Sequence, residues 1–371
     1  MQTEQILRMR CKGFKLQCEL SDLESMQIAC LNEPIHFPKK KREKILSLYR
    51  WILRKMSRRD HPPRREFKGK LRELGVLLWD EVLKQIFRKF DIESHKGSYL
   101  TLALDDETVQ FPWELALYSK RPRTMLCETL NIGRLRVVDS ECWVQETPRK
   151  RRRKTALVVG LNYEDCREDL GSDDVRTLEY SEEEANEIKE LLENNGFSVT
   201  ALIGKKAKKD NVLKNLVRNF DLFHFTGHGS TEKDRSMICL SDGDLDTGDL
   251  DVLEPKDLSG DLPKVSFINA CESATENTRG QAAYNWAKAL ARFGSSALVA
   301  TLWSIDEEAS LKFSKWFYKQ FIERGRSIGD AVRRSRIHIK KSNESLYTWP
   351  SYVLYGYPPL SLEEVLHSNE E

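Results

Sequence analysis

From residue 155 onward, short apolar runs alternate with amphipathic helical stretches, and this rhythm constrains the fold more than any other feature. Residues 156–161 are a continuous apolar run of strand length. Residues 181–195 read as a helix, opened by Ser181 with Glu184 three places on, the pattern of a capping box, and stopped by Gly196. Further strands are expected at 198–203, 221–226, 237–240, 265–270, 296–303 and 352–355, and further helices at 210–219, 281–293, 307–324 and 327–341. Strands this apolar are covered on both faces. Interleaved with helices, they imply an α/β fold with a mostly parallel sheet sandwiched by helices. Functional groups in such sheets gather at the carboxyl ends of the strands.

Residues 1–154 follow a different pattern and predict a mixed α+β domain. Phe14, Leu16, Cys18 and Leu20 alternate as in a strand. A basic amphipathic helix at 39–57 places Ile45, Leu48, Ile52 and Met56 on one face, and His61-Pro62-Pro63 breaks it. A second helix is expected at 66–90 and a strand at 99–104, after which Asp105-Asp106-Glu107 turns the chain and 109–113 returns.

Charge separates the same two halves. The net charge of +2 conceals +13 over residues 1–154, with 34 basic and 21 acidic side chains, and −11 over 155–371, with 26 and 37. The sign changes at Arg149-Lys150-Arg151-Arg152-Arg153-Lys154, read as a solvated linker. The run also suits a nucleic-acid patch, a nuclear-import signal or a site for a trypsin-like cut. Two domains are therefore expected: 1–154, basic and regulatory or recognition-bearing, and 155–371, carrying the chemistry. An acidic partner or nucleic acid is a possible ligand of the basic half.

Other classes find no support. No apolar run approaches the ~20 residues of a membrane span, and the first twenty residues lack a signal core, so an intracellular, cytoplasmic chain without membrane insertion is expected. The eight cysteines form no C-x-x-C pair and no zinc spacing. Gly160-Leu161-Asn162 is no phosphate loop. The acidic stretch from Asp242 to Asp249 fails the calcium-loop pattern, because Thr247 stands where glycine is required, and it reads as a turn. No metal or cofactor is expected.

Two strand ends carry reactive residues. The strand at 221–226 runs into Gly227-His228-Gly229-Ser230, and the strand at 265–270 into Cys271-Glu272-Ser273. If the strands are neighbours, His228 and Cys271 meet at one sheet edge. A free thiol is only a few per cent thiolate near neutral pH, and a nearby imidazole raises that fraction and can later protonate a leaving amine. Glycines around His228 would let a loop turn sharply and let a substrate backbone approach. The N–H groups of Gly229 and Cys271 could serve as an oxyanion hole. His224, inside its strand, reads as a core histidine. His228 precedes Cys271 by 43 residues, close to the roughly 50 of caspases, and Asn269-Ala270-Cys271 echoes their Gln-Ala-Cys.

These segments resemble the CHAT domains of the caspase–separase clan of cysteine peptidases. The resemblance rests on Phe223-His224-Phe225-Thr226-Gly227-His228-Gly229, Ile268-Asn269-Ala270-Cys271-Glu272-Ser273, Val299-Ala300-Thr301-Leu302-Trp303-Ser304-Ile305-Asp306 and Trp349-Pro350-Ser351-Tyr352-Val353-Leu354-Tyr355-Gly356, preceded by Phe111-Pro112-Trp113-Glu114-Leu115. It covers most of residues 99–358. It implies a caspase-like fold, His228 as general acid/base, Cys271 as nucleophile, Gly229 and Cys271 as oxyanion donors, and a histidine oriented by a backbone carbonyl. Leu302-Trp303-Ser304-Ile305-Asp306 is similar to the separase stretch whose aspartate receives an arginine. Asp306 and Trp303 are thus expected in S1, with a basic P1 residue, although Asp306 also suits a helix cap. With a basic P1, the run at 149–154 becomes a self-cleavage candidate. The resemblance further implies a gated endopeptidase acting on a protein substrate in bacterial defence or cell death, sometimes beside gasdermin-like or CRISPR-effector partners. The alternative is a catalytically silent caspase-fold scaffold.

Overall fold

The structure, a computed structural model, describes residues 4–31, 33–56, 61–90, 92, 95–120, 123–136, 154–166, 176–232, 235–253, 262–274, 282–342 and 345–366. The basic run at 149–154 lies outside them except for Lys154. The chain divides into two compact units, Met1–Glu141 with Gly356–Pro359, and Cys142–Tyr355 with Leu360–Glu371. Among the described residues no helix is long and apolar enough to cross a membrane.

The first unit is built on strands β1 (Glu4–Lys12), β2 (Lys15–Asp22), β3 (Gln27–Cys30), β4 (Tyr99–Leu104) and β5 (Asn131–Arg136), in the order β5-β4-β1-β2-β3. β1 is antiparallel to β2 and parallel to β4. Helix α1 (Lys39–Met56) buries Ile45, Leu48, Ile52 and Met56, as the spacing requires. Where one helix was expected at 66–90, α2 (Arg64–Leu78) passes through a π turn at Trp79–Leu83 into α3 (Lys84–Phe90). The extra residue in that turn keeps Val82 and Leu83 buried in line with Leu78. Residues 109–113 do not return as a strand. Trp113–Leu115 is a 3-10 turn, and Glu114 reaches Arg134 with two 2.5 Å bonds, both side chains almost fully buried. Arg134 also donates to the carbonyls of Val109 and Phe111. The Phe-Pro-Trp-Glu-Leu segment is therefore a structural clamp on β5.

The second unit holds the sheet anticipated from the apolar runs. Its strands are β6 (Thr155–Gly160), β7 (Ser198–Ile203), β8 (Leu222–Glu232), β9 (Arg235–Leu240), β10 (Gly243–Asp246), β11 (Val265–Ala274), β12 (Ala297–Thr301) and β13 (Tyr352–Gly356). The order is β7-β6-β8-β11-β12-β13, and the pairs from β7 to β12 are parallel. β9 folds back antiparallel on β8, and β10 on β9. The unit's α-helices among the described residues are α4 (Ser181–Asn194), α5 (Lys209–Leu216), α6 (Thr247–Asp251), α7 (Ala282–Ala291), α8 (Glu307–Tyr318), α9 (Ile328–Ser342) and α10 (Leu362–Leu366).

Alternation along β11 shows how helices cover both faces. Phe267 packs on Phe313 and Phe317 of α8, while Ile268 and Ala270 line a cleft with Ala283 and Trp286 of α7. The acidic stretch from Asp242 is consumed locally, since Asp246 caps α6 by accepting from the N–H groups of Gly248 and Asp249. The capping box expected at Ser181 does not form. Tyr180 is the N-cap and makes no side-chain cap bond, and Glu184 is turned into the core.

Candidate active site

β8 and β11 are parallel neighbours, in register from Leu222 opposite Val265 to Thr231 opposite Ala274. On that ladder His228 stands opposite Cys271. Sequence reasoning put His228 in a loop, but the strand continues through it to Glu232, and Gly229 lies opposite Ile238 of the returning β9. The hairpin with β9 supplies the partner that keeps this segment extended. Gly227 makes room and not a turn: a Cβ there would lie 2.5 Å from the Tyr163 hydroxyl.

Tyr163 is a site residue the sequence did not reveal. It follows β6 with φ +68, a left-handed conformation uncommon for an aromatic residue. Its fully buried phenol donates to the Cys239 carbonyl at 2.8 Å and accepts the His228 N–H at 2.8 Å. Its ring lies 4.7 Å from the imidazole. Burial pushes the phenol well above its ordinary pKa. Just before it, Asn162 and Glu182 exchange bonds: the Asn162 N–H donates to the Glu182 carboxylate at 3.1 Å and the Glu182 N–H to Asn162 Oδ1 at 2.9 Å.

The imidazole has a defined orientation. His228 Nε2 lies 2.6 Å from the Arg176 carbonyl oxygen. A carbonyl can only accept, so Nε2 carries the proton and Nδ1 keeps the lone pair. The Arg176 guanidinium pairs with Glu307 Oε1 at 3.1 Å, and Glu307 Oε2 accepts the N–H groups of Glu179 and Tyr180 at 2.7 and 3.3 Å. Residues 176–180 are thereby strapped to the first turn of α8. Burial lowers the His228 pKa, against the upward pull of the Arg176 carbonyl and the Glu307 charge.

The two residues expected in S1 have structural duties. Asp306 is exposed and is the N-cap of α8, its Oδ1 accepting from the Ala309 N–H at 2.9 Å. Trp303 is 1% exposed, and its indole N–H donates to the Tyr347 carbonyl at 2.8 Å. Around Asp306 the surface is acidic: Glu308, followed by burial and then Glu179, Glu183 and Asp306, raises the Tyr180 phenol. A small open depression beside Gly227 has Tyr180, Ser181, Glu184, Thr226, Asn269 and Glu307 in its lining.

The solved structures that resemble this chain share its fold. The Arg-specific cysteine proteinase gingipain R (RgpB) aligns at a TM-score of 0.51 and 14% identity, over 87% of this chain and 76% of its own. A complex of the pro- and mature domains of Porphyromonas gingivalis RgpB aligns at 0.51 and 16%, over 87% and 78%. The Saccharomyces cerevisiae separase–securin complex aligns at 0.58 and 12%, over 95% of this chain but only 30% of that one. The architecture is thus the caspase-like α/β fold, with a mainly parallel sheet flanked by helices. The CHAT domain signature matches residues 68–357, and the chain belongs to that family. No curated protein matches it.

Proposed function

We propose that the chain is a cysteine endopeptidase in which Cys271 is the nucleophile and His228 the acid/base. The observation that carries this reading is the pairing of the two residues on one rung of adjacent parallel strands, together with an imidazole whose Nε2 is already bonded to a carbonyl. Nδ1 then takes the thiol proton, sulfur attacks the peptide carbonyl carbon, and the same nitrogen returns the proton to the departing amine. Water, deprotonated by Nδ1, hydrolyses the thioester and restores the thiol. The N–H groups of Gly229 and Cys271 would face the oxyanion.

A basic P1 residue belongs to the same proposal. In its favour are the negative field of Asp306, Glu308, Glu179 and Glu183 and the Arg specificity of the similar gingipain. Asp306 can serve both duties, because Oδ1 caps the helix and the second oxygen can face a cation. The buried Trp303 would act as a wall of the same pocket. Gating of the enzyme and a role in defence or cell death follow from the family resemblance and complete the proposal.

The test is a peptide library varied at P1, incubated with the full chain and with Cys271→Ala. Cleavage after Arg or Lys, lost in the variant, is expected. Cleavage after acidic or apolar residues keeps the mechanism and removes the S1 assignment. Cleavage that persists in Cys271→Ala overturns the assignment of the nucleophile. If neither protein cleaves after screening with candidate partners and nucleic acids, the silent scaffold is favoured.

A further inference from the structure

Glu184 is 1% exposed on α4. Its Oε1 accepts from Asn269 Nδ2 at 2.5 Å, and its Oε2 accepts from the hydroxyls of Thr226 and Ser310 at 3.2 and 3.1 Å. The network continues outward. His224 Nε2 lies 3.3 Å from Oε1, and His224 Nδ1 lies 3.3 Å from the Tyr318 hydroxyl. Asn269 Oδ1 accepts from Tyr352 at 2.9 Å. Burying a carboxylate is costly unless it is well paired, and an apolar residue fills such a space at less cost. The partners suggest why the carboxylate is kept. Thr226 is two residues before His228 on β8, Asn269 is two residues before Cys271 on β11, and the two stand opposite each other.

We propose that Glu184 is a positioning residue, which ties the strands carrying His228 and Cys271 two rungs behind them. The inference rests on the Cys–His reading above. The backbone ladder, which runs three rungs past this pair to Thr231 and Ala274, fixes which residues face each other, but it does not fix the fine offset of their side chains. A misplacement of about 1 Å costs on the order of 100-fold in rate. One carboxylate bonded to both strands removes that freedom, and Ser310 anchors it to α8.

The prediction concerns position and not charge, which selects the variants. Glu184→Gln keeps the shape. Its carbonyl can accept from Asn269, and its amide can donate to two hydroxyls that rotate. Glu184→Leu breaks every tie, and Thr226→Val breaks the tie to β8 alone should the leucine variant not fold. The probe is iodoacetamide, with alkylation of Cys271 followed by mass spectrometry on the full chain from about pH 5 to 9, alongside thermal unfolding. In the wild type the rate should rise with a midpoint below the ordinary thiol value of about 8.5. Glu184→Leu and Thr226→Val should move the midpoint up by about one unit, roughly tenfold slower alkylation at pH 6.5, and Glu184→Gln should stay within about twofold. Folded leucine and valine variants with the wild-type profile overturn the proposal, as does a glutamine variant as slow as leucine. A change confined to KM for basic peptides would make Glu184 a charge reader and overturn it as well. A wild-type midpoint at the ordinary thiol value sinks the Cys–His reading itself, whereas an unmoved but depressed midpoint sinks only the role of Glu184.

Discussion

At the scale of single residues, His228 has a thermodynamic consequence. Burial holds its folded pKa below that of the unfolded chain. The unfolded state therefore binds a proton first as pH falls, and stability is lost from about pH 6.5 down to the lower folded value. Above that window the residue contributes nothing. Thermal unfolding of His228→Gln should accordingly be less sensitive to acid in that range than the wild type. Tyr163 offers a second check. Tyr163→Phe leaves the Cys239 carbonyl and the His228 N–H without their buried partner. Calorimetry should show a loss of about 1–3 kcal/mol, and peptidase assays a fall in kcat with little change in KM.

At the scale of elements, duties that compete for one side chain can be separated. Asp306→Ala removes the cap of α8 and should cost about 0.5–2 kcal/mol, whereas Asp306→Asn keeps an acceptor and should cost little. If Asp306 also selects a cation, both variants lose cleavage after Arg and Lys equally, a combination that capping alone does not produce. In the first unit, Glu114→Ala takes the carboxylate from the buried Arg134 charge, and denaturant titration should show a loss of about 3–5 kcal/mol.

Elements also show what the sequence made legible. The strands of the second unit were readable because residues such as Leu157, Phe225 and Val299 are covered on both faces. α1 was readable because its apolar face repeats at helical spacing. Glu184 was misread because Ser181-x-x-Glu184 is a local pattern, and three donors from other elements outcompete the cap. Tyr163, Arg176 and Glu307 left no local signal, since their partners lie 65, 52 and 131 residues away. The extension of β8 through His228 was hidden because glycines on both sides resemble a turn until Gly227 is seen to pair with Ala270 of β11 and Gly229 with Ile238 of β9.

At the scale of the whole molecule, cysteine chemistry gives a map of accessibility. Burial pushes Cys18 up to about 12 and raises Cys239 further, with the Asp244 carboxylate adding to the latter. Cys11 stands near 11, raised by burial and Glu107. Cys127 and Cys166 are buried, and Cys30 is exposed. Brief alkylation of the native chain should modify Cys30 and leave Cys18, Cys127, Cys166 and Cys239 intact, with peptide mapping as the readout. Rapid labelling of the buried Cys18, Cys127 or Cys166 would mean that these cores open readily. Charge has a molecular consequence as well. On α1, Lys41, Arg42 and Arg50 already pair with Glu81, Glu107 and Glu43, so the basic half presents fewer unpaired cations than its composition suggests.

The pairing of β8 with β11 also bears on how such chains tolerate changes in length. Forty-three positions separate His228 from Cys271, yet what holds them level is a shared rung and not that interval. Residues added at 252–253, just after α6, lengthen the connection to β11 at about 0.6 kcal/mol per doubling and leave the rung untouched. A single residue inserted between Val265 and Ala270 would slide the thiol one position along and turn it to the opposite face of the sheet. Insertion scanning should therefore find a permissive stretch that stops abruptly where β11 begins.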